Sequence, residues 1–377
     1  MRLSELDTPC LVLDKGKVDR NCTFLRERVH QLGAELRVHG KTAKNIEAIR
    51  LAMSGQDRGI TVSTLKEAEY FFENGITDIV YAVGIVPAKL DRVAALTRRG
   101  CALSVICDSV AQARACETAS RKHGITLPVL IEIDCDGHRC GVQPGDPLLL
   151  DIGRILHRGN GVELRGVLTH AGESYNCRDL NCIRKFAELE RQQTLRCSEQ
   201  LRADGLPCPV VSIGSTPTAT FTENLTGITE VRAGVHMFMD LVMAGIGVCE
   251  VSDIALSVLT SVIGHQKDRG WVIVDAGWMA LSADRGTASQ QVDRGYGVVC
   301  DIHGDVVDNL MVETVNQEHG IVTHRAGEKL DPDRFPIGSM LRILPSHACA
   351  TGAMHNSYQV IDGGAEVLAE WQRTAGW

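Results

Sequence analysis

The segment ELRVHGKTAKN (35–45) carries Arg37, His39 and Lys41 at alternate positions, with Leu36 and Val38 between them. Alternate residues of a strand share a face, so an extended segment here has one apolar and one charged face. Such a face suits a site more than a core. A lysine leaving a strand end partly desolvated has a lowered pKa and is fitted for Schiff-base chemistry with a carbonyl compound. The plain alternative is a structural ion pair, with Glu35 or Asp134 as partner. Lys44 and Lys66 are rivals by type, but both read as residues of the helices that follow, open to solvent.

Two further groupings have chemical potential. SIGSTPTAT (212–220) is small, hydroxylic and glycine-bearing. The backbone N–H groups and hydroxyls of Gly214, Ser215 and Thr216 suit a phosphate, although an ordinary turn has the same composition. His347 and Cys349, in HAC, stand two apart in an extended stretch, so both side chains can face one ion, and imidazole with thiolate suits Zn²⁺. His138 and Cys140, in HRC, have the same spacing. With 13 His and 14 Cys in the chain, spacing does not choose between the pairs. Glu318 and His319, in NQEHG, form a weaker set.

The surrounding sequence tells what positions these groups. Apolar runs at 34–41, 59–64, 78–83, 102–108, 127–134, 162–170, 209–216 and 227–234 read as strands. Helical patterns such as STLKEAEYFFENG and VAQARACETASRKHG lie between them, and the helix before the eighth strand is the least convincing. Eight strands with seven intervening segments fit a parallel (β/α)8 barrel better than an open doubly wound sheet. A barrel gathers chemistry at the C-terminal ends of its strands. Lys41 ends the first strand. Arg139 (DCDGHRCGV) follows the fifth, and His170 and Tyr175 (THAGESYN) follow the sixth. GSTPT (214–218) and RAGVH (232–236) follow the seventh and eighth. A lysine facing a phosphate loop across one rim suggests a carbonyl cofactor bearing a phosphate, pyridoxal phosphate. After residue 245, β-rich runs separated by Gly and Asp turns predict a mostly antiparallel domain. The expected division is a barrel over 15–245 and a β-rich domain over 246–377, joined by the strand within 1–14.

The bulk numbers agree with an enzyme of ordinary composition. In 377 residues, 44% are hydrophobic and 23% charged, enough for one large domain or two ordinary ones. A formal charge of −8 gives no case for nucleic acid or an anionic membrane. No run approaches the roughly 18 apolar residues of a membrane span, and the first residues lack a signal-peptide core. The expected location is the cytoplasm. The cysteines are scattered, with no C-x-x-C pair, and read as free, mostly buried thiols.

LDTPCLVLD, RVHGKTAK, TVSTLKEAE, IEIDCDGHRCGV, LTHAGESY, VSIGSTPTAT, EVRAG and LPSHACATG resemble, in order, the D-serine dehydratase and D-threonine aldolase family. These are pyridoxal-phosphate enzymes of the alanine-racemase-type fold, and the resemblance spans nearly the whole chain. It implies that Lys41 bonds the cofactor aldehyde and that Arg139, His170 and Tyr175 surround the pyridine ring. It places Gly214, Ser215, Thr216 and Gly234 at the phosphate. It also selects His347 and Cys349 as metal ligands. The family's dehydratases carry His-x-Cys with zinc, whereas its aldolases tend to carry His-x-Asp with a harder ion such as Mn²⁺ or Mg²⁺. Cys349 therefore argues for dehydration of a β-hydroxy D-amino acid such as D-serine or 3-hydroxy-D-aspartate, and a homodimer is implied. Two positions depart from the pattern: Ala43 replaces a second histidine after the lysine, and His236 replaces a tyrosine after the strand-eight glycine. Aldol cleavage is the main alternative. A racemase would need a second base, for which the second domain offers Tyr296 or Tyr358. A non-catalytic cofactor carrier would have no use for His347 and Cys349.

Overall fold

The alternation of apolar strands and amphipathic helices folds as its period demands. The computed structural model describes residues 1–55 and 58–377. Strand β1 spans Cys10–Asp14. Eight strands then follow: β2 (Glu35–Val38), β3 (Ile60–Val62), β4 (Asp78–Tyr81), β5 (Ala102–Cys107), β6 (Leu127–Ile133), β7 (Val162–Thr169), β8 (Val210–Ile213) and β9 (Glu230–Ala233). They form one parallel sheet in the order β2-β9-β8-β7-β6-β5-β4-β3. Its outer strands meet where His39 bridges Thr61 and the Gly40 N–H donates to the Thr61 carbonyl at 2.7 Å, so the sheet closes. The eight expected strands and the barrel are all present.

Helix signals act where the sequence places them. Thr64 and Ser109 cap the helices Leu65–Glu73 and Val110–His123 by accepting the N–H three residues on. Gly124 ends the second of these at φ +61°, the left-handed region that glycine enters freely. The weak segment before β9 is a helix of only six residues, Thr216–Phe221.

The barrel interior is charged as well as aliphatic. Arg37 points inward, its Nε donating to Glu230 at 2.8 Å and its terminal nitrogens to Asp78 at 3.0 and 3.1 Å. Glu230 also accepts from the Ser212 hydroxyl at 2.7 Å, and Arg232 donates to Ser212 and to the Thr169 carbonyl. Burial opposes the charge of Arg37, and Glu230 and Asp78 more than offset it. Arg37 is thus matched by carboxylates, as a low-dielectric interior requires, whereas Arg232 bonds neutral oxygens and burial holds its guanidinium down to about 10.

Contacts between Cα atoms divide the chain into two compact units, Phe24–Gly234 with residues 376–377, and Met1–Thr23 with Val235–Ala375. The second unit holds β10 (Leu256–Gln266), β11 (Trp271–Val274), β12 (Gly297–Cys300), β13 (Val306–Val315), β14 (Gly320–His324), β15 (Met340–Pro345), β16 (Ser357–Ile361) and β17 (Ala369–Gln372). The order β11-β14-β13-β12-β15-β10 closes because β10 also pairs with β11, giving a six-stranded antiparallel barrel. From β10 the sheet continues through β1, β16 and β17. β1 runs antiparallel to β10 and parallel to β16. Leu3, Val12, Leu259 and Ile361 pack a core beneath that extension.

One expectation about cysteine fails. Cys177 and Cys182 form a disulfide with Cα atoms 5.5 Å apart, while the other twelve are free and mostly buried. A short 3-10 turn, Gly172–Asn176, delivers Cys177, and Asp179 caps the next helix so that its first turn carries Cys182 back to it. No helix among the described residues is long and apolar enough to cross a membrane.

Candidate functional site

The charged face inferred for residues 37, 39 and 41 is divided by the structure. Arg37 belongs to the ion pairs of the barrel interior. Strand geometry stops at His39, and residues 40–43 form a turn, so the turn and not strand alternation sets the direction of Lys41. Lys41 is exposed, not partly desolvated, and its N–H donates to His39 Nδ1 at 3.3 Å. Among the described residues no ion pair holds Lys41, and Asp134 is engaged elsewhere. The rival lysines are explained. Lys44 precedes its helix with φ +48° and pairs with buried Glu67 at 2.6 Å. Lys66 is exposed on the helix Leu65–Glu73.

Arg139 rides on the loop after β6. Asp134 builds that loop by accepting the N–H groups of Gly137 and His138 at 2.9 and 3.1 Å and the Gln143 amide at 2.6 Å. Arg139 is exposed, with a terminal nitrogen 3.9 Å from buried Glu132. His170 follows β7, and its Nδ1–H donates to the Gly214 carbonyl at 2.9 Å, which leaves Nε2 as an acceptor. The Tyr175 ring lies 6.0 Å from the His170 ring, centroid to centroid.

Electrostatics show that these loops converge. Burial pushes the His170 imidazolium down to about 3. The bond to Gly214 opposes that fall, and the charges of Arg139, Lys41 and Arg232 deepen it. Burial, then Lys41, Arg232, His170 and Arg139 likewise hold His39 well below its ordinary range. Two neutral imidazoles therefore face the same three cations, brought from the ends of β2, β6 and β9. Three cations converging there, with Glu132 beside Arg139, give the rim charged groups that can receive an anionic ligand.

The loop after β8 is organised by a residue outside the motif. Glu190 accepts the Gly214 N–H at 2.9 Å and the Thr218 hydroxyl at 2.8 Å. The Ser215 N–H donates to the Thr218 hydroxyl oxygen at 3.1 Å, and the Ser215 hydroxyl caps the short helix. The N–H groups of Gly214 and Ser215, expected to face a ligand, thus serve the loop itself. Thr216, the next residue, is buried. Gly234 directly follows β9, and an added Cβ there would lie 3.0 Å from Thr42 Oγ1 and 3.1 Å from His39 Cβ. Gly214 sits at φ +138°, and a Cβ there would meet the Arg232 carbonyl oxygen at 2.1 Å. Gly214→Ala is therefore expected to cost about 3 kcal/mol of unfolding free energy, measured by urea denaturation.

In the second unit, His347 and Cys349 open the helix Ala348–Ala353. His347 Nδ1 lies 2.6 Å from Asp284 Oδ2. Burial opposes its protonation, but the hydrogen bond and charge of Cys349, the charge of Asp240 and the hydrogen bond to Asp284 carry it up to about 10. Asp240 is fully buried, accepting the Met243 N–H at 2.9 Å and the Ala348 N–H at 3.0 Å, so it fixes the turn that bears the pair. One nitrogen, one sulfur and nearby carboxylates make a donor set of intermediate softness, suited to a divalent ion.

The rival pair is pulled apart. His138 Nδ1 meets Glu173 at 2.8 Å, whereas the Cys140 thiol donates to Glu132 at 3.7 Å. Cys140 does join Asp108 and Glu132 in a group whose ligand atoms lie within 4.8 Å of one another. Burial and the Glu132 charge raise the Cys140 thiol, so it stays protonated there. Glu318 and His319 occupy the turn between β13 and β14. Of the tyrosines a racemase could use, Tyr358 is fully buried and accepts from Arg373 Nε at 2.8 Å, and Tyr296 lies under Arg285.

His236, which replaces the expected tyrosine, is fully buried, and burial pushes its imidazolium down to about 3. An unfolded histidine titrates near 6.5, so between these values the unfolded chain binds a proton that the folded chain refuses. Stability therefore falls as pH drops through that window, by about 1.4 kcal/mol per pH unit. His236→Leu is expected to flatten the acid slope of unfolding free energy by one proton, read from urea titrations across the window.

Comparison with known proteins identifies the family. Residues 13–242 match the family model for the alanine racemase N-terminal domain, and residues 255–361 that for a putative serine dehydratase domain. The chain is 52% identical to D-threo-3-hydroxyaspartate dehydratase from Delftia sp. (strain HT23), over 100% of this chain and 99% of the relative. A cysteine-to-alanine mutant of D-threo-3-hydroxyaspartate dehydratase, solved in the metal-free form, superposes with a TM-score of 0.98 at 51% identity, covering all of both chains. D-serine dehydratase from Dictyostelium discoideum is 29% identical over 100% of this chain and 98% of its own. With both domain models in tandem and full-length identity to a dehydratase, this chain belongs to the D-serine dehydratase family of alanine-racemase-type proteins.

Proposed function

We propose that the protein is a pyridoxal-phosphate- and zinc-dependent lyase converting a β-hydroxy D-amino acid, of the D-threo-3-hydroxyaspartate or D-serine type, into a 2-oxo acid and ammonia. The observation that carries the reading is the His347–Cys349 pair on a chain that matches a hydroxyaspartate dehydratase from end to end. The barrel mouth fits the cofactor: an exposed lysine amine stands where the charges of Lys41, Arg139 and Arg232 converge on His170. Bound there, pyridoxal phosphate supplies an aldehyde for the lysine and a ring that takes up the electron pair released at Cα.

The residues divide the work. Lys41 Nζ would hold the cofactor through its aldehyde, and the same amine is the base that would take the α-proton. Arg139, His170 and Tyr175 flank the ring. His170 stays neutral, with Nδ1–H committed to Gly214, so it presents an acceptor and not a second charge. Thr216 and Gly234 would face the phosphate end, with Gly214 and Ser215, whose N–H groups are spent within the loop, shaping its cradle. His347 and Cys349 would hold Zn²⁺, whose chemistry is Lewis-acid stabilisation of a departing hydroxide. Asp284 on Nδ1 would turn Nε2 of His347 toward the ion, the usual carboxylate–histidine–metal relay. The solved mutants of D-threo-3-hydroxyaspartate dehydratase change a histidine and a cysteine two positions apart, the spacing of this pair. We take the working form to be a cytoplasmic homodimer, with sedimentation of the holoenzyme as the check on oligomeric state.

A panel of β-hydroxy D-amino acids, assayed with and without chelator, tests the reading. Oxo acid and ammonia, lost on chelation and regained with Zn²⁺, are the expected products. Glycine with an aldehyde or oxo acid would instead mean aldol cleavage, favoured if Mn²⁺ or Mg²⁺ restores activity. The aldolases among the relatives are more distant than the hydroxyaspartate dehydratase, at 28% and 29% identity against 52%.

A further inference from the structure

Glu190 lies midway along the helix Leu180–Ala203, on the buried stripe Ile183, Ala187, Glu190, Thr194, Cys197 and Leu201, and is 0% exposed. Helix packing alone would want an apolar residue there. A buried carboxylate is tolerated only where its oxygens are satisfied. Among the described residues no ion pair reaches it. Its hydrogen bonds go instead to the two loops at the barrel mouth. Oε1 accepts the N–H groups of Ala171 at 3.0 Å and Gly214 at 2.9 Å, and Oε2 accepts the Thr218 hydroxyl at 2.8 Å.

The pattern is reciprocal. Ala171 directly follows His170, and His170 Nδ1–H donates to the Gly214 carbonyl. Gly214 is thereby gripped on its N–H by Glu190 and on its carbonyl by His170. Thr218 passes the restraint on, its hydroxyl lying 2.9 Å from that of Ser215, which in turn lies 3.0 Å from that of Ser174. One side chain thus ties the loop bearing His170 to the loop bearing Gly214–Thr216.

We infer that Glu190 is a positioning residue for the phosphate end of the cofactor. It holds the loops after β7 and β8 in their binding arrangement beforehand, so that cofactor uptake need not order them. The inference rests on the reading of this mouth as a pyridoxal-phosphate site.

The test uses full-length wild type, Glu190→Ala, Glu190→Gln and Thr218→Val, stripped of cofactor and titrated with pyridoxal phosphate. It reads the cofactor Kd, the ³¹P resonance of the bound phosphate and the Tm of the cofactor-free protein. Glu190→Ala orphans two buried N–H groups and is expected to weaken binding about 100-fold and shift the ³¹P resonance. Thr218→Val removes the hydroxyl that donates to Glu190 and accepts the Ser215 N–H, and is expected to weaken binding about tenfold and shift the ³¹P resonance. Glu190→Gln keeps an acceptor for both N–H groups and should stay within about threefold of wild type. Wild-type affinity and an unchanged ³¹P resonance in Glu190→Ala, with only Tm lowered, would show a structural role and overturn the inference. Should Glu190→Ala not fold, wild-type binding by Thr218→Val overturns it equally. A wild type that takes up no pyridoxal phosphate defeats the reading of the mouth and the inference with it.

Discussion

Lys41→Ala is expected to lower oxo-acid formation by about ten-thousand-fold and to leave the purified protein without the absorbance of a lysine-bound cofactor. Two losses combine. The amine that bonds the aldehyde is gone, and so is the base for the α-proton, a type of group whose removal alone costs about a hundred- to ten-thousand-fold. The substitution itself is mild, because Lys41 is exposed in a turn and no ion pair holds it among the described residues. Its Tm should match that of cofactor-free wild type, separating lost chemistry from lost fold. Borohydride reduction followed by peptide mapping gives a second readout. Wild type should carry the label within residues 35–45 and the variant should not. Lys44 should stay unlabelled in both, since Glu67 holds it in a half-buried ion pair.

Cys349→Ala, or exhaustive chelation of the wild type, is expected to cost about a thousand-fold in dehydration while cofactor uptake persists. Hydroxide is a poor leaving group, and a Lewis acid contributes several kcal/mol toward its departure, each 1.36 kcal/mol being tenfold in rate. Zn²⁺ should rescue the chelated wild type but not Cys349→Ala. Asp284→Asn should fall between, since it leaves the ligand pair in place and weakens the restraint on Nδ1 of His347. Metal content by atomic absorption, measured beside the rate, separates lost binding from lost chemistry. Full activity at zero metal would end the leaving-group assignment.

Much of the architecture was legible because barrel strands announce themselves. LPVLIEID and VELRGVLTH are apolar, short and bounded by glycine or polar residues, and both match an observed strand to within one residue at either end. The direction of Lys41 was not legible, since strand alternation ends at His39 and a turn intervenes. Glu190 left a readable signal that was passed over: a glutamate at a position where the helical period calls for an apolar side chain. Asp240 and Asp284 left none. They lie 108 and 63 residues from the groups they hydrogen-bond, Ala348 and His347, and no local period couples such distances. The Cys177–Cys182 bond was equally silent, because it depends on a helix cap at Asp179 that brings two unremarkable cysteines together.

The place of β1 bears on how the chain is made. Residues 10–14 leave the ribosome well before the strands they join, since β10 and β16 begin at Leu256 and Ser357. At roughly 5–20 residues per second, that first strand must wait on the order of half a minute for both neighbours, while the parallel barrel encoded between them can already form. A truncated gene starting at codon 24 would strip the second unit of a middle strand and bare two sticky edges, inviting other chains to fill the gap.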